Sequence, residues 1–466
     1  MNEEIECNDK HSKLNKTRVA KVIRPRTESE VITAIREAAA DGMPVSICGA
    51  RHAMGGQQFG EGTLLLDLSG LVELYSIDEE RGLVEVGAGM MWPQLIEALI
   101  ARQEGRETVW SIRQKQTGAD DLTLGGSLAA NIHGRGLQLA PIIGDVEAFT
   151  LINGVGRRIR CSRSENEKLF RLAIGGYGCF GVITSVLLRL TPRRKVERLV
   201  EIMEVERVVP ALEKFAGEGC LCGDFQFSID ECSPDFLKLG ILSCYRPVDP
   251  SREILDARKR LGTADWKRLI RLAHEDRSEV FKAYSDFYLG TQGSLYWSDA
   301  HQLSVYLEDY HTELDCELGA KIPASEMISE LYVPRGRLVA FMAAAADLLR
   351  NGPVPVIYGT VRLIGRDGES YLAWAKEDYA CIIFNLHTEH DEVGIARSAD
   401  AFRALIDLAL SFGGSYYLTY HRWARKDQVE RAYPQFLDFL GEKESFDPGL
   451  RFQSEWWRHY DRLFRS

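Results

Sequence analysis

The chain has 466 residues, is 45% hydrophobic and 27% charged, and carries a formal net charge of −11. That length accommodates two or three domains with a sizeable core, and the acidic balance argues against a general binder of nucleic acid or anionic membrane. MNEEIECNDKHSKLNK has no apolar stretch and no run of about 18 apolar residues follows it, so neither a leader nor a membrane span is expected, and the first ~15 residues are expected to fray. Ten cysteines, at 7, 48, 161, 179, 220, 222, 232, 244, 316 and 381, form no CxxC and no zinc spacing. The scatter fits reduced, partly buried thiols in a cytoplasmic protein.

In chain order, TESEVITAIREAAADGMP reads as a helix, with Thr27 and Glu30 as a capping pair and Gly42 with Pro44 as the stop. VSICG, TLLLDLSG and GLVEVGAGM read as strands, and WPQLIEALIARQ as a helix with Pro93 in its first turn. VEAFTLI and RRIRCS, joined by NGVG, predict a hairpin. ENEKLFRLAIGG reads as a short helix and GVITSVLLRLTP as a strand ending at Pro192. After about residue 195 the texture changes. DFQFSID, GILSCYRPV, SELYVP, PVIYGTVRLIG and YACIIFNLH read as strands, separated by ADWKRLIRLAHEDRSEVFKAYSDFY, RGRLVAFMAAAADLLRNG and SADAFRALIDLALSFGG as helical segments. This order predicts a mixed α+β fold rather than strict βαβ alternation.

Three glycine-rich segments border these elements. GARHAMGG (49–56) sets His52 among small residues after the apolar run VSIC. Glycines there permit a sharp bend and close approach of backbone to a ligand. TGADDLTLGGSLAANIHGRG (117–136) opens a short helix at a glycine pair, an arrangement suited to a diphosphate or simply to a tight turn under packed helices. Gly176-Tyr177-Gly178-Cys179-Phe180-Gly181 matches GxGxxG, but a helix precedes it and a strand follows, the reverse of the dinucleotide fingerprint.

Taken in order, GARHAMGG, TLGGSLAANIHGRG and ENEKLFRLAIGGYGCFGVITSVLLRLTP resemble the FAD-binding domain of the vanillyl-alcohol oxidase/p-cresol methylhydroxylase superfamily. FDPGLRFQSEWWRHY resembles the C-terminal segment of its aldonolactone oxidase, alditol oxidase and decaprenylphosphoryl-ribose oxidase branch. The resemblance implies a two-subdomain FAD-binding domain with an inserted antiparallel-sheet substrate domain: 17–195 as its N-terminal part, 196–412 as the substrate domain and 413–466 as the returning segment. It implies FAD as cofactor, bonded covalently through His52 as in relatives with a histidine there. Gly49, Ala50, Arg51, Ala53, Met54, Gly55, Thr117, Thr123, Gly125, Gly126, Asn131, Val182 and Ile183 match cofactor-contacting positions. His133 matches a position beside the flavin, where a purely structural imidazole bonded to backbone is the other reading.

For catalysis the branch uses a Glu-x-Arg pair and a lysine. GTVRLIGRD resembles the first strand, with Arg362 in place and Thr360 where the glutamate would be. GSYYLTYHRWA (414–424) resembles the second strand, with Tyr417 at a flavin-contacting position, Tyr420 at the lysine position and His421 next to it. A phenol lowered by Arg362, or the His421 imidazole, is then the candidate base. In CIIFNLHTEH, period-two alternation puts Asn385 and His387 on one face, which makes His387 a third candidate if that face lines the site. The reading is an FAD-linked oxidase or dehydrogenase acting on a CH–OH group of a polyol, sugar or sugar lactone. The electron acceptor is oxygen or a carrier. Another alcohol or hydroxy acid as substrate, and a non-catalytic flavoprotein, remain as alternatives.

Overall fold

In the computed structural model, residues 4–255, 261–304 and 306–465 are described. Helix Glu28–Ala40 starts at the predicted cap: Thr27 Oγ1 accepts from the Glu30 N–H at 3.2 Å, and the Glu30 carboxylate accepts from the Arg26 N–H. Gly42, at φ +67°, turns the chain out of it. The apolar run that follows becomes strand Val45–Cys48, parallel to Leu64–Asp67, which also pairs in parallel with Lys21–Ile23. The tail closes this small sheet. The Val45 N–H donates to the Arg451 carbonyl at 2.7 Å, and the Gln453 N–H donates to the Val45 carbonyl at 2.9 Å.

A second sheet is antiparallel, in the order Arg158–Ser162, Val146–Ile152, Val182–Pro192, Leu83–Gly87, Leu74–Asp78, with Trp110–Ile112 paired to the far part of Val182–Pro192. The predicted hairpin is its edge. The third sheet has eight antiparallel strands, ordered Leu295–Trp297, Lys195–Glu204, Leu239–Pro247, Cys222–Phe227, Val356–Ile364, Tyr379–Glu389, Ala324–Pro334, Ser415–Tyr416. Helices Leu338–Arg350 and Glu392–Ser411 pack on Ala324–Pro334, and the second also on Tyr379–Glu389. Thr263–Glu275 and Arg277–Leu289 pack on other strands of the sheet. The mixed α+β class is thus as expected. Among the described residues no helix is long and apolar enough to cross a membrane. All ten cysteines are free, and only Cys232 and Cys316 are exposed.

Three expectations are corrected. The N-terminal residues do not fray: Ile5–Cys7 pairs with Thr17–Val19, and buried Asp9 gathers the turn between them by accepting from Ser12 Oγ (2.8 Å) and Asn15 Nδ2 (3.0 Å). Met1 to Glu3 lie outside the described residues. The long helical segment over 264–288 is two helices, because Asp276 turns out at φ −149° and caps the second one at the Glu279 N–H. GSYYLTYHRWA is not a strand throughout. Only Ser415–Tyr416 pairs, and the chain then turns at Leu418–Tyr420. Strand Lys195–Glu204 and the C-terminal helices Lys426–Ala432, Phe436–Phe446 and Glu455–Arg465 were not predicted.

Candidate functional site

The three glycine-rich loops converge on one cavity of ≈ 840 Å³. Gly49, Ala50, Arg51, His52, Ala53 and Met54 line it from the first loop, and Thr117, Thr123, Gly125, Gly126 and His133 from the second. Ile183 lines it beyond the GYGCFG turn, where Tyr177 and Gly178 both take positive φ. Thr123 caps the short helix Leu124–Ala130 by accepting from the Gly126 N–H at 3.3 Å. Arg51, in the left-handed region at φ +66°, is held by Asp67 at 3.1 Å.

The first two loops touch at Gly49. A Cβ there would lie 2.1 Å from Thr123 Oγ1, and moving that hydroxyl aside forfeits the helix cap. Gly49→Ala is therefore expected to lower stability by roughly 1–3 kcal/mol and to reduce bound flavin per chain. Thermal unfolding and the ratio of visible to ultraviolet absorbance check both effects, and an unchanged pair of values contradicts the loop contact.

Period-two geometry makes the eight-stranded sheet a cavity wall. Ile328, Asn385 and Tyr358 face one another across three strands, and all three line the cavity. The next row is Glu330, Ile383 and Thr360, and the next is Tyr332, Cys381 and Arg362. Glu330 and Arg362 reach the cavity together with Tyr417 and Tyr420 from the turn after Ser415–Tyr416. Arg362 donates to Thr117 Oγ1, tying the wall to the second loop.

Five residues singled out in the sequence do not line the cavity: Gly55, Asn131, Val182, His387 and His421. Gly55 packs under the tail, where a Cβ would meet the Thr419 carbonyl at 2.9 Å. Asn131 turns its amide to Asp367 (2.8 Å) and Ser370 (3.2 Å). Val182 is in the core beside Ile152 and Leu66. His421 stacks edge-on against Phe402 at 4.4 Å, and burial pushes its imidazole down to about 3. Its Nδ1 accepts from the Trp423 N–H at 3.3 Å. His387 lies on the predicted face but beside Glu326, one carboxylate further along the strand from Glu330.

The group that the sequence reading missed is Glu330. It is 3% exposed, with Oε1 2.6 Å from His133 Nε2 and also accepting from the Tyr332 hydroxyl. Tyr420 donates to Oε2 at 3.1 Å. Burial opposes ionisation, but the His133 imidazole, these hydrogen bonds and Arg362 hold the carboxyl below its ordinary value. Tyr420 moves the other way: burial, then the Glu330 charge, raise its phenol well above the usual range. The expectation of a phenol lowered by Arg362 is therefore corrected. Tyr420 is a donor, and Glu330 is the ionised acceptor. Its sequence signal was present, since alternation along EMISELYV puts Glu326, Ile328 and Glu330 on one face and Met327, Ser329 and Leu331 on the other.

The cavity suits a large polar ligand. Gln226 Oε1, Arg362 Nε and Gln58 Oε1 are buried on its wall without hydrogen-bond partners, and such atoms in a native site call for a bound partner. Residues 19–162 match the family model described as an FAD binding domain. The chain is similar to L-gulono-1,4-lactone dehydrogenase of Mycobacterium tuberculosis, at 21% identity over 94% of this chain and 95% of that one. That match runs through loops, sheet strands and tail alike. The chain is a flavoprotein. FAD is its cofactor.

The chain is similar to two other relatives over a shorter range. One is the uncharacterized oxidoreductase ORF5 in the fasciation locus of Rhodococcoides fascians, 30% identical over 36% of this chain and 37% of its own. The other is cytokinin dehydrogenase 10 of Oryza sativa subsp. japonica, 28% identical over 39% and 34%. The matched region thus spans only about a third of either.

Proposed function

We propose that this protein is an FAD-linked oxidase or dehydrogenase that oxidises a CH–OH group, with a polyol, sugar or sugar lactone as donor. The observation that carries this reading is Glu330: an ionised, hydrogen-bonded carboxylate on the wall of the cavity that the flavin loops border. When bound, FAD supplies hydride-accepting, two-electron chemistry. The chain's own groups supply the rest. Glu330 takes the hydroxyl proton as the C–H bond breaks. Tyr420 and His133 fix the two carboxylate oxygens, so no reorganisation is needed when the proton arrives. Arg362, anchored at Thr117, places positive charge beside the same cavity.

The first loop and Thr117, Thr123, Gly125, Gly126, Ile183 and Tyr417 are assigned to hold the cofactor, with His52 as its covalent attachment. The division into 17–195, 196–412 and 413–466 accompanies this reading, supported by the tail's return to Val45. Oxygen or a carrier takes the electrons in turn.

A second substrate class is favoured by one observation. Trp266, Leu269, Ile270, Phe281, Tyr284 and Phe287, from the two helices over the sheet, form an apolar wall of the same cavity. That wall suits a donor with an apolar or aromatic substituent, such as an aryl glycoside or an aryl alcohol. The test is the visible spectrum under anaerobic addition of polyols, aldonolactones, aryl glycosides and aryl alcohols. Bleaching by one group assigns the class; no bleaching across the panel rejects an enzyme in favour of a non-catalytic flavin binder.

A further inference from the structure

A second buried carboxylate lies on the same strand, four residues before Glu330 and therefore roughly 13 Å from it along the backbone. Glu326 is 3% exposed and faces three imidazoles. Its Oε1 lies 3.2 Å from His274 Nε2 and 3.3 Å from His387 Nδ1. Its Oε2 is held by His311 Nδ1 at 3.0 Å and by the Tyr310 hydroxyl. The residues come from four separate elements: helix Thr263–Glu275, helix Tyr310–Leu318, strand Ala324–Pro334 and strand Tyr379–Glu389. None of them takes part in the chemistry assigned to Glu330.

We propose that His274, Glu326 and His387 bind one divalent transition-metal ion of the zinc class, with the fourth coordination position open to the cavity. The three donor atoms lie within 4.8 Å of one another. The two contacts at Oε1 match the donor–donor edge of about 3.3 Å that a tetrahedron with Zn–N bonds of about 2.0–2.1 Å requires. His274 Nε2 is the second sign. Its side chain is 8% exposed and the nitrogen is buried, yet the ring is not aligned for a hydrogen bond to the carboxylate it approaches. His274 Nε2 is instead placed for a third partner shared with Glu326 Oε1, which also lies within hydrogen-bond distance of His387 Nδ1.

Charge bookkeeping points the same way. One cation suffices to compensate a buried carboxylate, whereas three imidazoles converge here, and neutral imidazole is a metal ligand. His311 and Tyr310, on the far oxygen, do what an outer shell does for a ligating carboxylate: they fix its orientation. Glu326 and Tyr310 line the cavity, so water or a substrate oxygen completes the coordination from that side.

The test uses the flavin-loaded protein and does not depend on turnover. After removal of adventitious metal with a chelator and desalting, Zn2+ and, separately, Co2+ are titrated in. About one equivalent per chain is expected, with a Co2+ d–d band to the red of the flavin and X-ray absorption of the Zn2+ form reporting imidazole and carboxylate ligands at about 2.0–2.1 Å. His274→Ala/His387→Ala is expected to abolish uptake, and His311→Gln to weaken it 10–100-fold, both at unchanged flavin content and circular dichroism. Uptake below about a tenth of an equivalent by the wild type, sulfur ligands in its X-ray absorption, or undiminished uptake by the double variant overturns the site. If the double variant does not fold, the wild-type stoichiometry and ligand set decide.

Discussion

Glu330→Gln is expected to slow flavin reduction by about 10²–10⁴-fold while leaving flavin binding intact. The substitution keeps the shape and removes the proton-accepting charge from the position where Tyr420 and His133 converge. None of the bases expected from the sequence replaces it. The Tyr420 phenol is raised well above its usual range and stays protonated, and His421 lies behind Phe402. His387 is engaged by Glu326. The wild-type pH profile carries a sign of its own. The base is active when ionised, and its folded value lies below the ordinary 4.5. Reduction is therefore flat through neutrality and is lost only as the pH falls below that value. Anaerobic stopped-flow bleaching, with a donor from the panel above, measures both effects. A variant that bleaches as fast as the wild type, or a wild-type acid limb near neutrality, removes Glu330 from the mechanism.

His52→Ala is expected to turn a flavin that survives acid precipitation into one that leaves with the supernatant. His52 lines the cavity on the first loop, its ring packed edge-on to Tyr306 at 4.9 Å. Its Nε2 lies 2.9 Å from Asp121 Oδ1, which leaves Nδ1 as the nitrogen for a bond to the isoalloxazine. Burial works against the Asp121 charge, but His52 and Lys10 keep that carboxyl well below the usual range, so the imidazole always has an anion behind it. That is the arrangement expected to hold and polarise a nucleophilic ring. Acid precipitation of wild type and variant, with fluorescence of pellet and supernatant, reads the outcome. Flavin in the wild-type supernatant disproves the bond. A variant that keeps its flavin in the acid pellet shows that another residue carries it.

Much of the molecule was legible along the chain. Local rules settled the helices and strands: the Thr27 cap, the Gly42 stop, the NGVG hairpin and the alternation in CIIFNLH all act over a few residues. Errors arose where distant contacts overrule local preference. The N-terminal segment reads as polar tail, yet Asn15 donates to the Met54 carbonyl at 2.7 Å and pins it to the first loop. YYLTYHRW has strand-like composition, but a turn brings Tyr420 to Glu330 instead of continuing the ladder.

The sequence by itself determined the class of cofactor through the resemblance that its ordered glycine-rich segments carry, and it located those segments because a glycine-rich bend at the end of a strand is a local solution to close backbone approach and leaves its mark in adjacent residues. Only the tertiary structure decided which side chains share the cavity. Glu330, Ile383 and Thr360 are separated by tens of positions in the chain and become neighbours through the register of three strands. Register is fixed by which face is buried against the core, a property of the packed sheet and of no single strand. For that reason the carboxylate on the cavity wall, Glu330, lies two strands away from Thr360, where the resemblance implied one.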